Sequence, residues 1–317
     1  MQARCHTAPI VILCYRALWI AIVLVCTATA VDAQTATDRV RFYMSITFQG
    51  DGAVDIDLFR NESPLHVENF LDYIDDAEYS NSFIHRTRSE DQFGNPTAFF
   101  AQGGSFKVPT NGVLDSNPIV PRGTVPNEFD PNNGLSNTPG SLGAARTSDP
   151  DSATSGWFIN VSDNSAGFDP GPFTVFGQVI GGMPLVNLIP FFPNSPALNG
   201  TPFESTPFFG GALISIVLAD RVSLIDGDYN LDGTVNQADY TAWQQIVGTN
   251  IFSPGFVAAV DGNRDGVIDA ADYTVWRDNL GQSAASGTVL LPEPGASLLM
   301  CIAAAAVAYG RLRARRW

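Results

Sequence analysis

The stretch RVRFYMSITFQGDGAVDIDLF, residues 39–59, decides how the chain begins to fold. Apolar residues occupy every second position from Val40 to Phe48, which is the period of a β-strand with one buried face. The glycine-containing segment 49–52 predicts a turn, and apolar residues alternate again over 54–58. The stretch therefore predicts a β-hairpin.

A helix is predicted directly after the hairpin. Ser63 suits the N-cap position and Pro64 the first helical position. One buried stripe follows from apolar residues spaced three and four apart, namely Val67, Phe70, Leu71 and Ile74. Further apolar segments up to residue 224 are short, aromatic and separated by Gly, Pro and Asn. Residues 39–224 are therefore expected to be one mainly β domain, a closed barrel with one or two covering helices.

A series of short motifs gives this domain a family resemblance. Their order along the chain is DLF, SP, ENF, FIHR (83–86), FFAQGGSF (99–106), NEF (127–129), GSLGAA (140–145), SGWFI (155–159) and TVFG (174–177). Together they resemble the cyclophilins, which are peptidyl-prolyl cis–trans isomerases. The resemblance implies an eight-stranded antiparallel barrel with two capping helices, a second helix starting at 184–189, and proline-containing polypeptides as substrates.

The resemblance also assigns a site. Arg86 is the expected catalytic arginine, and Gln102 is expected to position the substrate backbone. An arginine suits this chemistry because it keeps its charge at any ordinary pH and can donate a hydrogen bond to the prolyl nitrogen as the imide twists. The expected substrate-binding residues of the proline pocket and groove are Phe99, Phe100, Ala145, Phe158 and Phe168.

Several positions depart from the family pattern. Gly156 stands where a glutamine is frequent, Arg146 replaces an asparagine, Gly167 a tryptophan, and Phe173 a histidine or tyrosine. Residues 89–98 lengthen the loop after Arg86. Two interpretations of the domain remain open here: a working isomerase, and a binding module for proline-containing segments without catalysis.

A second unit, residues 225–283, contains an internal repeat with an offset of 33 residues. Its oxygen-bearing residues have EF-hand-like spacing, with glycine at the sixth loop position, and predict two calcium ions. The predicted ligands are Asp228, Asn230, Asp232, Thr234, Asn236 and Asp239 in the first loop, and Asp261, Asn263, Asp265, Val267, Asp269 and Asp272 in the second. Thr234 and Val267 would contribute backbone carbonyls.

The final aspartate of each loop makes the pair similar to a type I dockerin, which implies a helical calcium-loop domain and a cohesin-like partner. A calcium-stiffened spacer or scaffold is the alternative. Each loop is expected to be followed by a helix, at 240–246 and 273–280, with Trp243 and Trp276 in the core.

The two ends of the chain indicate export. Residues 1–33 have the basic start, short apolar run and small residues of a signal peptide, and cleavage after Ala30 or Ala33 fits equally; a retained anchor is the alternative. After a linker at 284–291, residues 292–317 carry a Pro-Glu-Pro triplet, an apolar helix and an arginine cluster. This segment resembles a PEP-CTERM sorting signal with a transmembrane helix, which implies an exosortase-type processing enzyme.

Charge and cysteine placement agree with that destination. The chain has 32 acidic and 17 basic residues, which argues against nucleic acid as a partner. All four cysteines lie within the two terminal segments, so no disulfide is expected in the mature domains. The expected location is the cell surface or extracellular matrix of a Gram-negative-type bacterium.

Overall fold

The computed structural model describes residues 34–46, 50–90, 96–115, 117–194, 198, 201, 203–209 and 211–284. The predicted signal peptide, the linker beyond residue 284 and the C-terminal sorting segment lie outside these residues. Over the described ranges, no helix has the length and apolar character needed to cross a membrane.

The first domain is built mainly from β-strands. These are β1 (Asp38–Ile46), β2 (Gly50–Leu58), β3 (Ser82–Phe83), β4 (Arg86–Glu90), β5 (Pro96–Gly103), β6 (Ser141–Ala144), β7 (Trp157–Asn160), β8 (Val175–Gly181), β9 (Phe208–Phe209), β10 (Ala212–Leu213) and β11 (Ser215–Val222). The predicted hairpin is present, with Val40 opposite Ile56 and Phe42 opposite Val54.

Nine of these strands form one antiparallel sheet in the order β3-β11-β1-β2-β8-β6-β7-β5-β4. The sheet curls, because the strands at its two ends are separated in the chain only by Ile84 and His85. The Ile84 amide donates to Ile214 on one side, and the His85 amide donates to Gln102 on the other, both at 3.0 Å.

The predicted insertion after Arg86 is only partly a loop. Its two ends belong to β4 and β5, where Ser89 is opposite Ala98 and Glu90 is opposite Pro96. The register between β4 and β5 is irregular, so the alternation of apolar residues in the sequence does not indicate this hairpin. Residues 91–95 lie outside the described ranges.

Five helices and two short 3₁₀ turns accompany the strands in the described part of the chain. They are α1 (Pro64–Asp75), α2 (Ser165–Phe168), α3 (Met183–Leu188), α4 (Gln237–Ile246) and α5 (Ala270–Asn279), with 3₁₀ turns at Ile189–Phe191 and Ala258–Val260. Helix α1 buries the predicted stripe against the inside of the curled sheet. There Phe42 packs against Phe70 and Trp157, with ring centroids 6.1 and 5.2 Å apart.

The N-terminus of α1 is capped differently from the prediction. Ser63 occupies the N-cap position, but its side chain makes no cap and instead donates to the Val175 carbonyl at 3.0 Å. The carboxylate of Glu128 accepts from the amides of Leu65 and His66 at 3.0 and 2.9 Å. A residue 62 positions away thus satisfies the free amides of the first turn.

Both faces of β1 are covered. Val40, Phe42 and Met44 are buried as the alternation predicts, but Arg41 and Tyr43 on the opposite face are buried too. The second domain causes this, because the 3₁₀ turn Ala258–Val260 packs on β11 and the Phe256 ring meets Tyr43 edge-on at 5.5 Å.

The two repeats of the second domain pack reciprocally. Trp243 on α4 donates to the Asp269 carbonyl at 2.8 Å, and Trp276 on α5 donates to the Asn236 carbonyl at 2.7 Å. Trp276 is buried as expected, whereas Trp243 is only partly buried. Both helices begin three residues before the predicted starts, because the ninth loop residue acts as N-cap of a capping box.

Candidate active site

A small pocket of about 90 Å³ lies where β4, β5 and β7 meet the segment that carries α2. Its lining consists of two arginines, four phenylalanines, one glutamine and one alanine: Arg86, Phe100, Gln102, Ala145, Arg146, Phe158, Phe168 and Phe173. Six of the seven predicted active-site residues are therefore brought together, although they span 83 positions of the chain, from 86 to 168.

Arg86 and Gln102 lie opposite each other on β4 and β5. The Arg86 side chain is exposed, and its guanidinium carbon lies 5.5 Å from the centre of the Phe100 ring. This places a permanent cation and an amide beside an aromatic surface, at the point where the register of the two strands shifts.

The aromatic wall is continuous. Phe100 lies 5.9 Å from Phe158 and 6.1 Å from Phe168, and Phe168 lies 4.9 Å from Phe173, between ring centroids. Gly143 makes room for this wall, since a Cβ there would approach the Phe158 ring to 2.4 Å. The wall forms an apolar slot suited to a small ring.

Phe99 was wrongly assigned to the pocket. Neighbouring strand residues point to opposite faces, so Phe99 and Phe100 cannot both line it. The Phe99 ring stacks instead on Phe191, with centroids 6.4 Å apart.

Two lining residues, Arg146 and Phe173, were missed as site residues. The guanidinium of Arg146 lies 4.1 Å from the Phe173 ring centre and donates to the carbonyls of Thr147 and Gly171. Burial lowers the pKa of Arg146, while Asp149 acts in the opposite direction. Their departure from the family pattern was a usable signal, because a changed residue at a groove position is still a groove residue.

A buried polar network fixes the segment that carries Phe168 and Phe173. Asn137 donates to the Asp169 carboxylate at 2.8 Å and to the Phe173 carbonyl at 3.1 Å. Asn160 and Asn164 extend the network, and Asn164 also donates to the Phe99 carbonyl at 3.0 Å. Each amide is hydrogen-bonded, so the network rigidifies the aromatic wall.

His85 lies buried behind the arginine. Its ring meets Phe106 edge-on at 5.3 Å, and its Nδ1 atom has no hydrogen-bond partner among the described residues. Burial, and secondarily the positive charge of Arg86, lowers the pKa of His85 to about 4. His85 is therefore neutral at physiological pH and leaves Arg86 as the cation of this strand segment that reaches the pocket.

The two acidic loops have the chemistry of hard-cation sites. Their predicted side-chain donors are all oxygens, with three carboxylates in the first loop and four in the second. No cluster of three His, Cys, Asp or Glu side chains able to hold a metal ion occurs among the described residues. An EF-type set, however, draws several of its oxygens from amides and backbone carbonyls.

Both loops adopt the same backbone form. The sixth residues, Gly233 and Gly266, have φ values of 83° and 81°, a region that favours glycine. Asp239 closes the first loop by accepting from the amides of Tyr229, Asn230 and Asn236. Burial, together with nearby carboxylates of its own loop, raises the pKa of Asp272 to about 6.

Comparisons with known proteins agree with this architecture. A family model described as cyclophilin type peptidyl-prolyl cis-trans isomerase/CLD matches residues 43–198, and one described as dockerin type I domain matches residues 226–280. A peptidyl-prolyl cis-trans isomerase of Acinetobacter baylyi is 36% identical over 147 residues, which are 45% of this chain and 70% of that protein. Peptidyl-prolyl cis-trans isomerase B of Escherichia coli is 34% identical over 151 residues, covering 45% and 82%.

Among solved structures, a crystal structure of a cyclophilin type peptidyl-prolyl cis-trans isomerase from Cryptosporidium parvum covers 59% of this chain and 98% of that chain. Its sequence identity is 21% and its TM-score is 0.41. The family match spans the residues that form the pocket, and the curated relatives agree with it: this chain belongs to the cyclophilin family and is a cyclophilin-type peptidyl-prolyl cis-trans isomerase.

Proposed function

We propose that this isomerase is exported and acts on X-Pro bonds of extracytoplasmic proteins, with Arg86 stabilising the twisted imide. The bond has a rotation barrier of about 18–20 kcal/mol because of its partial double-bond character. As it twists, the nitrogen lone pair becomes available to accept a hydrogen bond, which a guanidinium can donate. This interaction is stronger in the transition state than in the ground state, so it accelerates the reaction.

The placement of Arg86 beside the aromatic slot carries this proposal. Phe100, Phe158 and Phe168 can enclose a proline ring, while Arg86 and Gln102 face the substrate backbone from the adjoining strands. No nucleophile or metal is required, because no covalent bond is broken.

The test measures kcat/KM for isomerisation of a short proline-containing peptide. Arg86→Ala is expected to lower it by about 10²–10³-fold, the loss typical of one transition-state donor. Arg86→Lys keeps the charge but loses the fork of donors and should recover only part of the rate. Arg277→Ala removes an exposed guanidinium on α5, outside the pocket, and is the matched control. Equal rates for wild type and Arg86→Ala would contradict the proposed role.

A scaffold role for proline-containing segments is the second candidate, and one observation favours it. Arg146 and Phe173 pack together across the edge of the slot and leave a pocket of only about 90 Å³. In that case the wild type would bind the peptide while isomerising it no faster than Arg86→Ala does.

We propose further that the sheet closes into an eight-stranded barrel. Strands β3 and β4 are nearly continuous in the chain. The Ile84 amide donates to the residue before β11, and the His85 amide donates to β5. If β3 and β4 are counted as one strand, the nine-stranded order becomes a ring of eight. Helices α1 and α3 would be its two caps.

The repeat pair is proposed to bind two calcium ions. The ligands would be the oxygens of the two loops, and calcium would neutralise carboxylates that repel one another in its absence. Chelator is expected to reduce the circular dichroism of α4 and α5, whereas an unchanged spectrum would count against the metal. A cohesin-like module is the proposed partner, to be sought by pull-down with and without calcium.

Export rests on the terminal segments alone. The apolar run before residue 33 supports a signal peptide, and the Pro-Glu-Pro triplet, apolar run and arginines of 292–317 support sorting by an exosortase-type enzyme to the cell surface or matrix. Finding the full-length, uncleaved chain in the cytoplasmic fraction would contradict this.

A further inference from the structure

The two calcium loops receive a hydroxyl group at the same place but from different parts of the molecule. In the first loop, Oδ2 of Asp228 accepts from the Gly233 amide at 3.0 Å and from the Ser223 hydroxyl at 2.7 Å. In the second loop, Oδ2 of Asp261 accepts from the Gly266 amide at 2.8 Å and from the Tyr43 hydroxyl at 2.5 Å. Tyr43 belongs to β1 of the isomerase domain.

The repeat offset explains why the second loop needs an outside donor. Residue 223 is followed 33 positions later by Phe256, which has no hydroxyl. The Phe256 ring packs edge-on against Tyr43, with centroids 5.5 Å apart. Phe256, at the position that lacks a hydroxyl, thus packs against the tyrosine that supplies one.

Further contacts join Asp261 and its loop to the same face of the sheet. Arg41 donates to the carbonyl of Asp261 and to the carbonyl of Ala258, the latter at 3.3 Å. Arg264, the fourth residue of the second loop, pairs with Asp55 on β2 at 2.6 Å. The corresponding residue of the first loop, Leu231, is exposed.

We infer that Tyr43 of the isomerase domain positions the first calcium ligand of the second loop, so that calcium binding there and docking of the repeat pair on β1 and β2 strengthen each other. This rests on the proposed calcium binding. A hydrogen bond to the outer oxygen of a ligating carboxylate fixes its orientation, and loss of such partners lowers metal affinity about 10–100-fold. By linkage, calcium must strengthen docking by the same factor.

The experiment is calorimetric calcium titration of the full chain in two backgrounds. Asp232→Ala removes a ligand of the first loop and isolates the second; Asp265→Ala does the reverse. Tyr43→Phe keeps the ring against Phe256 and removes only the hydroxyl, and Ser223→Ala is the matched change for the first loop.

In the Asp232→Ala background, Tyr43→Phe is expected to weaken calcium binding about 10–100-fold and Ser223→Ala to leave it unchanged. In the Asp265→Ala background, Ser223→Ala should weaken calcium binding and Tyr43→Phe should leave it unchanged. The radius of gyration from small-angle scattering should fall on calcium addition in the Asp232→Ala background, and less so once Tyr43→Phe is added.

The outcomes distinguish failure of the proposed calcium binding from failure of the role of Tyr43. A wild-type chain that binds no calcium would end the proposed calcium function, and this inference with it. Calcium binding to the second loop with an affinity that Tyr43→Phe does not change would overturn the inference alone. Equal weakening of both loops by Tyr43→Phe would also overturn it, because the effect would then be general.

Discussion

Arg41 and Arg86 are two arginines of the same sheet with opposite surroundings. Arg41 is buried beneath the second domain and holds Asp55 through two hydrogen bonds of 2.6 and 3.1 Å. Arg86 is exposed at the rim, over the ring of Phe100. The Arg41 guanidinium is enclosed by the protein, whereas that of Arg86 lies at an exposed position where a substrate can reach it.

The difference indicates that Arg41 serves the stability of the fold, whereas Arg86 is placed to act on a substrate. A buried arginine and carboxylate depend on each other, since removal of either leaves an uncompensated charge. Substitution at an exposed rim position usually costs little stability. Substitution in the buried pair should therefore lower stability, whereas substitution of Arg86 should lower activity.

The largest effect is expected at Asp55. Asp55→Asn removes the carboxylate that pairs with both Arg41 and Arg264, and should lower the free energy of unfolding by about 3–5 kcal/mol. Urea denaturation measures this.

The control is Asp57→Asn on the same face of β2, where Asp57 pairs with Arg39 at 2.6 Å but remains partly exposed. Asp57→Asn should lower the free energy of unfolding by about 1 kcal/mol or less. Arg86→Ala should stay within about 0.5 kcal/mol of wild type. Similar losses for Asp55→Asn and Asp57→Asn would break the comparison, because burial would then not decide the outcome.

The next effect concerns pH and the neutral ring behind Arg86. The pKa of His85 is about 4 in the folded chain, below its ordinary value of 6.5. The unfolded chain therefore binds more protons between these values. The stability contributed by the neutral ring is complete above pH 6.5 and is lost as the pH falls to about 4, by an amount on the order of 3 kcal/mol.

His85→Leu tests this, because leucine cannot titrate. The stability of the variant should decline less between pH 6.5 and 4 than that of wild type, as measured by urea denaturation at each pH. Parallel pH profiles for the two proteins would show that the pKa of His85 is the same in the folded and unfolded chains, which would contradict a ring held neutral by burial.

The sequence was enough for the domain order and for most of the pocket, for a physical reason. Motifs such as FFAQGG fix a strand and its neighbours locally, so Phe100 and Gln102 could be placed together with Arg86. The prediction for Phe99 was wrong because alternation places two adjacent phenylalanines on opposite faces of the sheet, and the sequence does not say which of the two faces the pocket.

Contacts between domains were out of reach of the sequence. Tyr43 and Asp261 are 218 positions apart, and no local pattern of either residue indicates the other. The buried Arg41 was equally hidden, because an arginine on the polar side of an alternating strand predicts a solvated face. Glu128 belongs to the same class, since it caps a helix that begins 64 residues earlier.

Glu128 also supplies the smallest test, because its carboxylate lies between the two extremes. It is partly buried, which raises its pKa, but hydrogen bonds from the His66 side chain and from the amides of Leu65 and His66 outweigh this and lower the pKa overall. The stability it adds is therefore present above the unfolded value of about 4.3 and is lost as the pH falls through the lower folded value. Glu128→Gln should cost about 1–2 kcal/mol at pH 7 and progressively less below pH 4. Glu68→Gln, at an exposed position of the same helix, should change stability by less than about 0.5 kcal/mol. If Glu128→Gln did not change the free energy of unfolding at pH 7, a partly buried carboxylate would contribute no more to stability than an exposed side chain at the rim. Only a completely buried carboxylate, such as that of Asp55, would then stabilise the fold.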